Sequence, residues 1–168
     1  MLETDAEIEA LQRLLDASIG HVNPHMLSIV TPERRLNACQ IVRYLDGTKH
    51  VAFATVTPTG KPRVSPLDAL FIHGRFVMGT GAGASRVANL RANPACSAVH
   101  MDGDRIAVTV NGTIEWIERG SAEDQEIVAL WTEIYGGDPY ADLGDVVFFR
   151  IAPTSMWSFA LNPSHFPE

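Results

Sequence analysis

The sequence predicts an α+β fold in which an antiparallel sheet closes into a barrel. The chain has 168 residues and a mass of 18.3 kDa, which is the size of one domain. Apolar residues at helical spacing dominate the first part of the chain, whereas short β-rich segments follow one another from residue 51. Most of these segments are joined by tight turns. Strands joined so closely pair antiparallel, because parallel neighbours need a long crossover.

Residues 1–30 are predicted to form an N-terminal helical extension. Apolar residues recur at helical spacing as far as Ile19, Thr4 or Asp5 can cap the start, and Gly20 ends the helix. The extension therefore contributes one amphipathic helix before the main domain.

The main domain, residues 31–168, is predicted to begin with a second helix. Thr31 stands at the N-cap, Pro32 at the first helical position, and apolar residues continue on one face to Leu45. The stretch between the two helices, residues 21–29, is predicted to be a loop.

Strands and two further helices fill the rest of the domain. The turn residues His73-Gly74 predict a two-residue hairpin, and Asn111-Gly112 interrupts a long strand. Short helices are predicted over 85–92 and 122–135. The predicted strands are 51–56, 63–72, 75–78, 95–101, 106–117, 146–151 and 155–159.

Composition excludes several function classes. A net charge of −7 and a pI near 5.3 oppose binding to a nucleic-acid backbone. The sequence has no apolar run long enough for a membrane span and no secretory signal, which predicts a cytoplasmic protein with no membrane partner. The six histidines show no metal-ligand spacing and no serine lies in a GxSxG elbow, so we predict neither a metal site nor a catalytic side chain.

The glycine-rich segment 79–84 is a candidate anion site. Glycine lets a backbone approach a ligand closely, and Ser85 is predicted to cap the helix that follows. Arg86 would lie unfavourably in the first turn of that helix unless an anion compensated its charge, which indicates phosphate. A flexible turn before a capped helix explains the same residues, and both interpretations stay open at this point.

The strand 63–72 is the second candidate. Pro66 has no amide donor, so the strand is predicted to be locally unpaired, at an edge or a bulge. Its exposed backbone beside Arg63 and Ser65 could hydrogen-bond a flat heteroaromatic ligand. An ordinary edge strand with solvated polar residues is the alternative.

Three longer motifs follow one another along the chain. They are Phe53-Ala54-Thr55-Val56-x-Pro58-x-Gly60-Lys61-Pro62-Arg63-Val64-Ser65-Pro66, then Gly79-Thr80-x5-Arg86-Val87-x-Asn89-Leu90-Arg91-x-Asn93-Pro94, and Val108-x-Val110-x-Gly112-Thr113-Ile114-Glu115. Together they resemble one family, the pyridoxamine 5′-phosphate oxidase-like, FMN-binding split β-barrel superfamily. The resemblance extends over about residues 36–160, in consistent order.

The resemblance implies a homodimer of split barrels with cofactor sites at the interface, binding FMN or, alternatively, the deazaflavin coenzyme F420. It also assigns roles to eight residues. Residues that would line the isoalloxazine ring are Arg63, Val64 and Ser65; those near the ribityl chain are Gly79 and Thr80; those that would hold the phosphate are Ser85, Arg86 and Asn89.

Two departures from the family pattern refine the expected function. Val87 and Ala88 stand where many relatives carry a second basic residue, so the phosphate site is less basic. The family's C-terminal arginine-rich pattern is absent, which disfavours pyridoxamine phosphate as the substrate. We therefore expect an oxidoreductase that passes a hydride between the bound cofactor and another small organic molecule. The alternatives are a non-catalytic flavin, deazaflavin or haem binding protein and, third, a structural dimer with an empty site.

Overall fold

Capping residues set the starts of the N-terminal helices. The computed structural model describes residues 2–20 and 22–166, and α1 spans Asp5–Ile19. The Thr4 hydroxyl accepts a hydrogen bond from Glu7 N, and the Glu7 carboxylate accepts one from Thr4 N. This reciprocal capping box confirms Thr4 as the N-cap.

The next segment differs from the prediction in two ways. Within the predicted loop, α2 spans Pro24–Ile29, because Asn23 caps it and Pro24 suits the first helical turn; His21 lies outside the described residues. The single helix predicted from Thr31 is divided into a 3₁₀ turn, Pro32–Arg34, and α3, Ala38–Tyr44.

A second capping box explains that division. The Asn37 side chain accepts from Gln40 N, while the Gln40 side chain accepts from Asn37 N. Thr31, in contrast, makes no side-chain capping bond. The chain therefore starts α3 at the better-capped position.

Six antiparallel strands form a closed barrel in the order β1-β2-β3-β6-β5-β4, which confirms the predicted fold class. The hairpin between β2 and β3 turns at His73 and Gly74, with φ values of 53° and 72°. The strands are β1 (Lys49–Val56), β2 (Pro62–Ile72), β3 (Arg75–Gly81), β4 (Ala95–Asp102), β5 (Ile106–Trp116) and β6 (Val146–Ala160), and the later helices are α4 (Ser85–Ala92), α5 (Ala122–Tyr135) and α6 (Pro139–Asp142).

β6 is one continuous strand where the sequence predicted two. Its register against β5 shifts where Asn111 pairs with Ser155 and Gly112 pairs with Pro153, so a bulge absorbs the proline. The backbones approach very closely there. A Cβ atom on Gly112 would lie 2.1 Å from the Ala152 carbonyl oxygen.

Alternation along the strands divides the apolar residues between two clusters. The interior of the barrel holds the larger one, which includes Phe53, Phe76 and Phe149. A smaller cluster on the outer surface joins residues such as Leu70 and Phe148 to Ile127 of α5. Thus α5 covers one part of the outer surface of the barrel.

Another part of the outer surface carries small side chains that belong to neither buried cluster. In register, Ala52 of β1 pairs with Pro66 on one side and Val99 on the other, and Val99 pairs with Thr109. These four residues are half-buried or exposed, and Met101 is 58% exposed. We call this surface, formed by the outward residues of β1, β4 and β5 and of the first half of β2, the open face.

The N-terminal extension is hydrogen-bonded to the last strand and to α3. The Ser18 hydroxyl of α1 accepts a hydrogen bond from Met156 N at 2.9 Å, and Gln12 Oε1 accepts one from Ala38 N. No helix in the described part of the chain combines the length and apolar content needed to cross a membrane.

Candidate functional site

β2 and β3 pair over only part of their lengths. β2 pairs with β3 over Ala69–Ile72, whereas Pro62–Asp68 pairs with β1 alone among the described strands. On the other side, Gly79–Gly81 of β3 pairs with β6. The two strands therefore part beyond Ala69, and we call the space between them the groove.

The two strands that bound the groove carry residues from two of the sequence motifs. Arg63, Val64 and Ser65 lie on its β2 wall, and Gly79 and Thr80 lie on its β3 wall. Val64 is 69% exposed. Pro66 lies in the part of β2 that does not pair with β3, which agrees with the unpaired edge predicted from its missing amide.

The glycines of the β3–α4 segment keep ordinary backbone conformations. Neither Gly79, Gly81 nor Gly83 has a positive φ. A Cβ on Gly79 would lie 2.6 Å from the Phe148 ring, so packing against that ring, by itself, requires glycine there. Gly81 and Gly83 face open space.

The start of α4 differs from expectation by one position. Ala84, with an extended backbone, is the N-cap, and no side chain caps the helix. Ser85 is therefore the first helical residue rather than the cap, and it is exposed. Its hydroxyl is not used in capping α4, which leaves it available to a ligand.

Arg86 connects α4 to the β3 wall. Its Nη1 donates a hydrogen bond of 2.8 Å to the Thr80 hydroxyl, and Thr80 is buried. Two residues that the sequence assigned to one cofactor site therefore touch each other. The guanidinium is half-buried and retains further N–H groups, since arginine carries five.

Asn89 lies deeper, under the end of the barrel. Its amide donates to the Thr55 hydroxyl at 3.1 Å, and both residues are buried. Thr55 pairs directly with Arg63 in the β1–β2 ladder, so this bond places α4 beside the basic β2 wall. Sequence reasoning missed Thr55; the only signal was a hydroxyl at an inward position of an apolar strand.

Replacing Asn89 by alanine is expected to lower the free energy of unfolding by about 1–3 kcal/mol, because the Thr55 hydroxyl loses its buried partner. Urea unfolding of the cofactor-free protein measures this change. The double variant Asn89→Leu with Thr55→Val removes both polar groups and should recover part of the loss. Unchanged unfolding of Asn89→Ala would show that the bond contributes nothing.

The end of the groove where β2 and β3 meet is lined by proton-bearing groups. Asp68, Gly79 and Tyr135 line one small cavity there. The Tyr135 hydroxyl donates to Asp68 at 3.3 Å, and His50 Nδ1 donates to the other Asp68 oxygen at 2.7 Å. Burial, with the charge of Asp68, raises the pKa of Tyr135, although its bond to Thr48 acts in the opposite direction. No sequence signal pointed to Tyr135, which belongs to α5.

Two other kinds of chemistry find little support in the described residues. No group of three His, Cys, Asp or Glu side chains in 2–20 and 22–166 could hold a metal ion. Burial raises the pKa of Cys96 to about 12, so this thiol stays protonated at neutral pH and is a poor nucleophile. The groove instead offers a free strand edge, two guanidinium groups and several hydroxyls.

Comparison with known proteins identifies a family for this arrangement. A sequence model described as pyridoxamine 5′-phosphate oxidase matches residues 40–160. No curated protein matches the chain.

Solved structures share the fold at low sequence identity. Conserved hypothetical protein Rv2991 from Mycobacterium tuberculosis is 22% identical, with a TM-score of 0.66 over 82% of this chain and 92% of its own. The haem storage protein HutZ from Vibrio cholerae is 23% identical, with a TM-score of 0.61 over 78% and 94%. An F420 reductase is 24% identical, with a TM-score of 0.54 over 67% and 91%. At these identities the likeness shows the fold alone.

Proposed function

Because this chain belongs to the pyridoxamine 5′-phosphate oxidase family, we propose that its groove binds a flavin-type cofactor, with FMN as the first choice. On this proposal the protein is an oxidoreductase that passes a hydride between the cofactor and a small organic molecule. The cofactor, when bound, supplies the redox chemistry, while the chain binds it, orients it and limits its contact with water.

The observation that carries this proposal is the free β2 edge beside two arginines. Backbone N–H and C=O groups of a strand edge can hydrogen-bond the polar rim of a planar heterocycle. Arg63 stands on the free edge of β2 and Arg86 reaches the β3 wall from α4, and a phosphate prefers guanidinium donors. A phosphate-bearing planar ring fits this donor set.

Each residue has a role in the proposal. Backbone and side-chain groups of Arg63, Val64 and Ser65 bind the ring, and Gly79 and Thr80 lie along the linking chain. Ser85, Arg86 and Asn89 form the phosphate end, where Asn89 also fixes α4 through Thr55.

Binding comes first in the test of this proposal. Thermal unfolding of the purified protein is compared with excess FMN, riboflavin, coenzyme F420, haem and no ligand. A cofactor at 100 times its Kd should add about 2.7 kcal/mol of stability. We expect FMN to raise the Tm more than riboflavin, which lacks the phosphate. No shift with FMN or F420 contradicts the proposed site.

Turnover separates the enzyme from the binding protein. We expect reduction or oxidation of the bound cofactor to be coupled to a small organic substrate in a screen. The proteins of this fold described as haem binding make non-catalytic binding the second candidate. A Tm shift with haem alone, or tight flavin binding without any turnover, would favour it.

We further propose that the open face pairs with a second copy of the chain, which would complete the cofactor site at the interface. The face is broad, built of small side chains and poor in charge, as homodimer interfaces are. Light scattering should give the mass of a dimer, and Val99→Lys should give a monomer with weaker FMN binding. A monomeric wild-type protein contradicts this part of the proposal.

A further inference from the structure

A large cleft lies outside the groove, at the turn of the β2–β3 hairpin. It is bounded by α1 and α5 and has a volume of about 680 Å³, which is in the range of small-molecule sites. None of the eight proposed cofactor residues lines it. We propose that this cleft is a second binding site, for a primary ammonium ion that carries an apolar chain.

The aliphatic lining of the cleft explains why the proposed ligand carries an apolar chain. Leu11 and Leu14 of α1, Ile127 of α5, and Ile72 and Val77 of the hairpin all line it. All five side chains are aliphatic. An alkyl chain placed there would leave water for a surface of similar polarity.

The charged side chains around the cleft explain why it would bind a positively charged group. Arg75 and Arg150 line the cleft, and both pair with Glu115; Arg150 also pairs with Glu123. Two guanidinium charges are thus balanced by two carboxylates.

The remaining groups are one histidine and two carboxylates. His73 Nε2 lies 3.1 Å from Glu126 Oε2 on α5, and its Nδ1 lies 3.0 Å from Glu7 Oε1 on α1. A neutral imidazole has a single N–H, so it can donate to one carboxylate only. The two carboxylates therefore exceed the positive charge near them, by two when His73 is neutral and by one when it is protonated.

Hydrogen bonding at His73 is incomplete. Nδ1 is buried, and its 3.0 Å contact with Glu7 lacks the alignment of a hydrogen bond, so no residue in 2–20 or 22–166 satisfies it. An ammonium group has three donors and can reach both carboxylates at once. It would supply the positive charge that His73 provides only in part.

Protonation of His73 should compete with the ligand. Burial lowers the pKa of His73, but its hydrogen bond to Glu126, the close contact of Nδ1 with Glu7 and the charges of both carboxylates outweigh this, so the pKa lies above its usual value. The facing charges are Glu7, Glu126, Glu123, Arg75, Arg150 and Glu115. Carboxylates and arginines keep their charge from about pH 6 to pH 9, so His73 is the group that titrates. Ammonium binding should tighten as pH rises through the His73 pKa.

The test is a titration of the full chain with hexylammonium chloride, followed by calorimetry and by protein NMR. We expect one site per chain, affinity that is about fivefold higher near pH 9 than near pH 6, and release of a proton on binding. Hexanol and hexanoate are the neutral and anionic controls. Hexanol binding as tightly as hexylammonium, or no binding of hexylammonium at all, overturns the proposal.

Matched variants locate the site. Glu126→Gln should weaken hexylammonium binding about tenfold, and Ala10→Phe, which fills the cleft from the exposed side of α1, should abolish it. Glu133→Gln and Ala17→Phe change the same helices outside the cleft and should leave binding unchanged. Equal affinity in Glu126→Gln, Ala10→Phe and the wild type would place binding elsewhere and contradict the proposal. Circular dichroism confirms that each variant is folded.

Discussion

Arg86→Ala is expected to weaken FMN binding by about 10- to 100-fold, which corresponds to one charge-assisted phosphate contact of about 1.5–3 kcal/mol. Arg86 is suited to this contact because Thr80 already fixes its guanidinium at the β3 wall. A bound phosphate would therefore meet an arginine whose position is largely set before binding, so little further ordering is needed. Quenching of flavin fluorescence gives the dissociation constants.

Two comparisons make this result specific. Riboflavin should bind Arg86→Ala and the wild type with similar affinity, because it lacks the phosphate. Arg91→Ala, in the same helix, removes an exposed guanidinium that lies 5.9 Å from the centre of the Trp116 ring, and it should leave FMN affinity unchanged. If folded Arg86→Ala binds FMN as tightly as the wild type, the phosphate lies elsewhere.

Gly112→Ala is expected to destabilise the protein by about 3 kcal/mol or more, because the new methyl group would overlap backbone. Its Cβ would lie 2.1 Å from the Ala152 oxygen and 3.0 Å from Pro153 Cα. Neither neighbour is the flexible end of a side chain. The two strands would have to separate at the bulge, where their pairing closes the barrel.

Gly83→Ala is the matched control. Gly83 has no positive φ and nothing lies near its Cβ position, so alanine there should be neutral or slightly stabilising. Urea unfolding of both variants gives the comparison. A Gly112→Ala protein that unfolds at the wild-type urea midpoint would show that the bulge relaxes more easily than its geometry indicates.

Local patterns were enough to predict most of the fold. Turn residues identified the hairpin at His73-Gly74. Asn111-Gly112 marks a register shift against β6, but β5 continues through it, so the predicted interruption of that strand was wrong. The division of the second helix was missed, although Asn37 and Gln40 form a local signal. β6 was divided at Pro153 because tolerance of that proline depends on a bulge in β6 that forms only against β5, where Thr154 has no register partner.

The candidate site could be predicted only in part, for the same reason. Pro66 marks a free edge by its own chemistry, so the β2 wall was accessible to sequence reasoning. Thr55 and Tyr135 reach the site from β1 and α5, and only the closed barrel shows that they meet α4 and Asp68. The glycine at position 79 was correctly noticed, but the Phe148 ring accounts for it independently of any cofactor.

The place of β6 in the barrel has a consequence for biosynthesis. β6 pairs with β3 on one side and β5 on the other, yet it follows both in the chain. Until β6 has emerged from the ribosome, the five earlier strands leave the edges of β3 and β5 that will pair with it uncovered. Uncovered strand edges can pair with strands of other chains, which leads to aggregation. The interval before β6 emerges is therefore the period in which this protein most needs protection from aggregation.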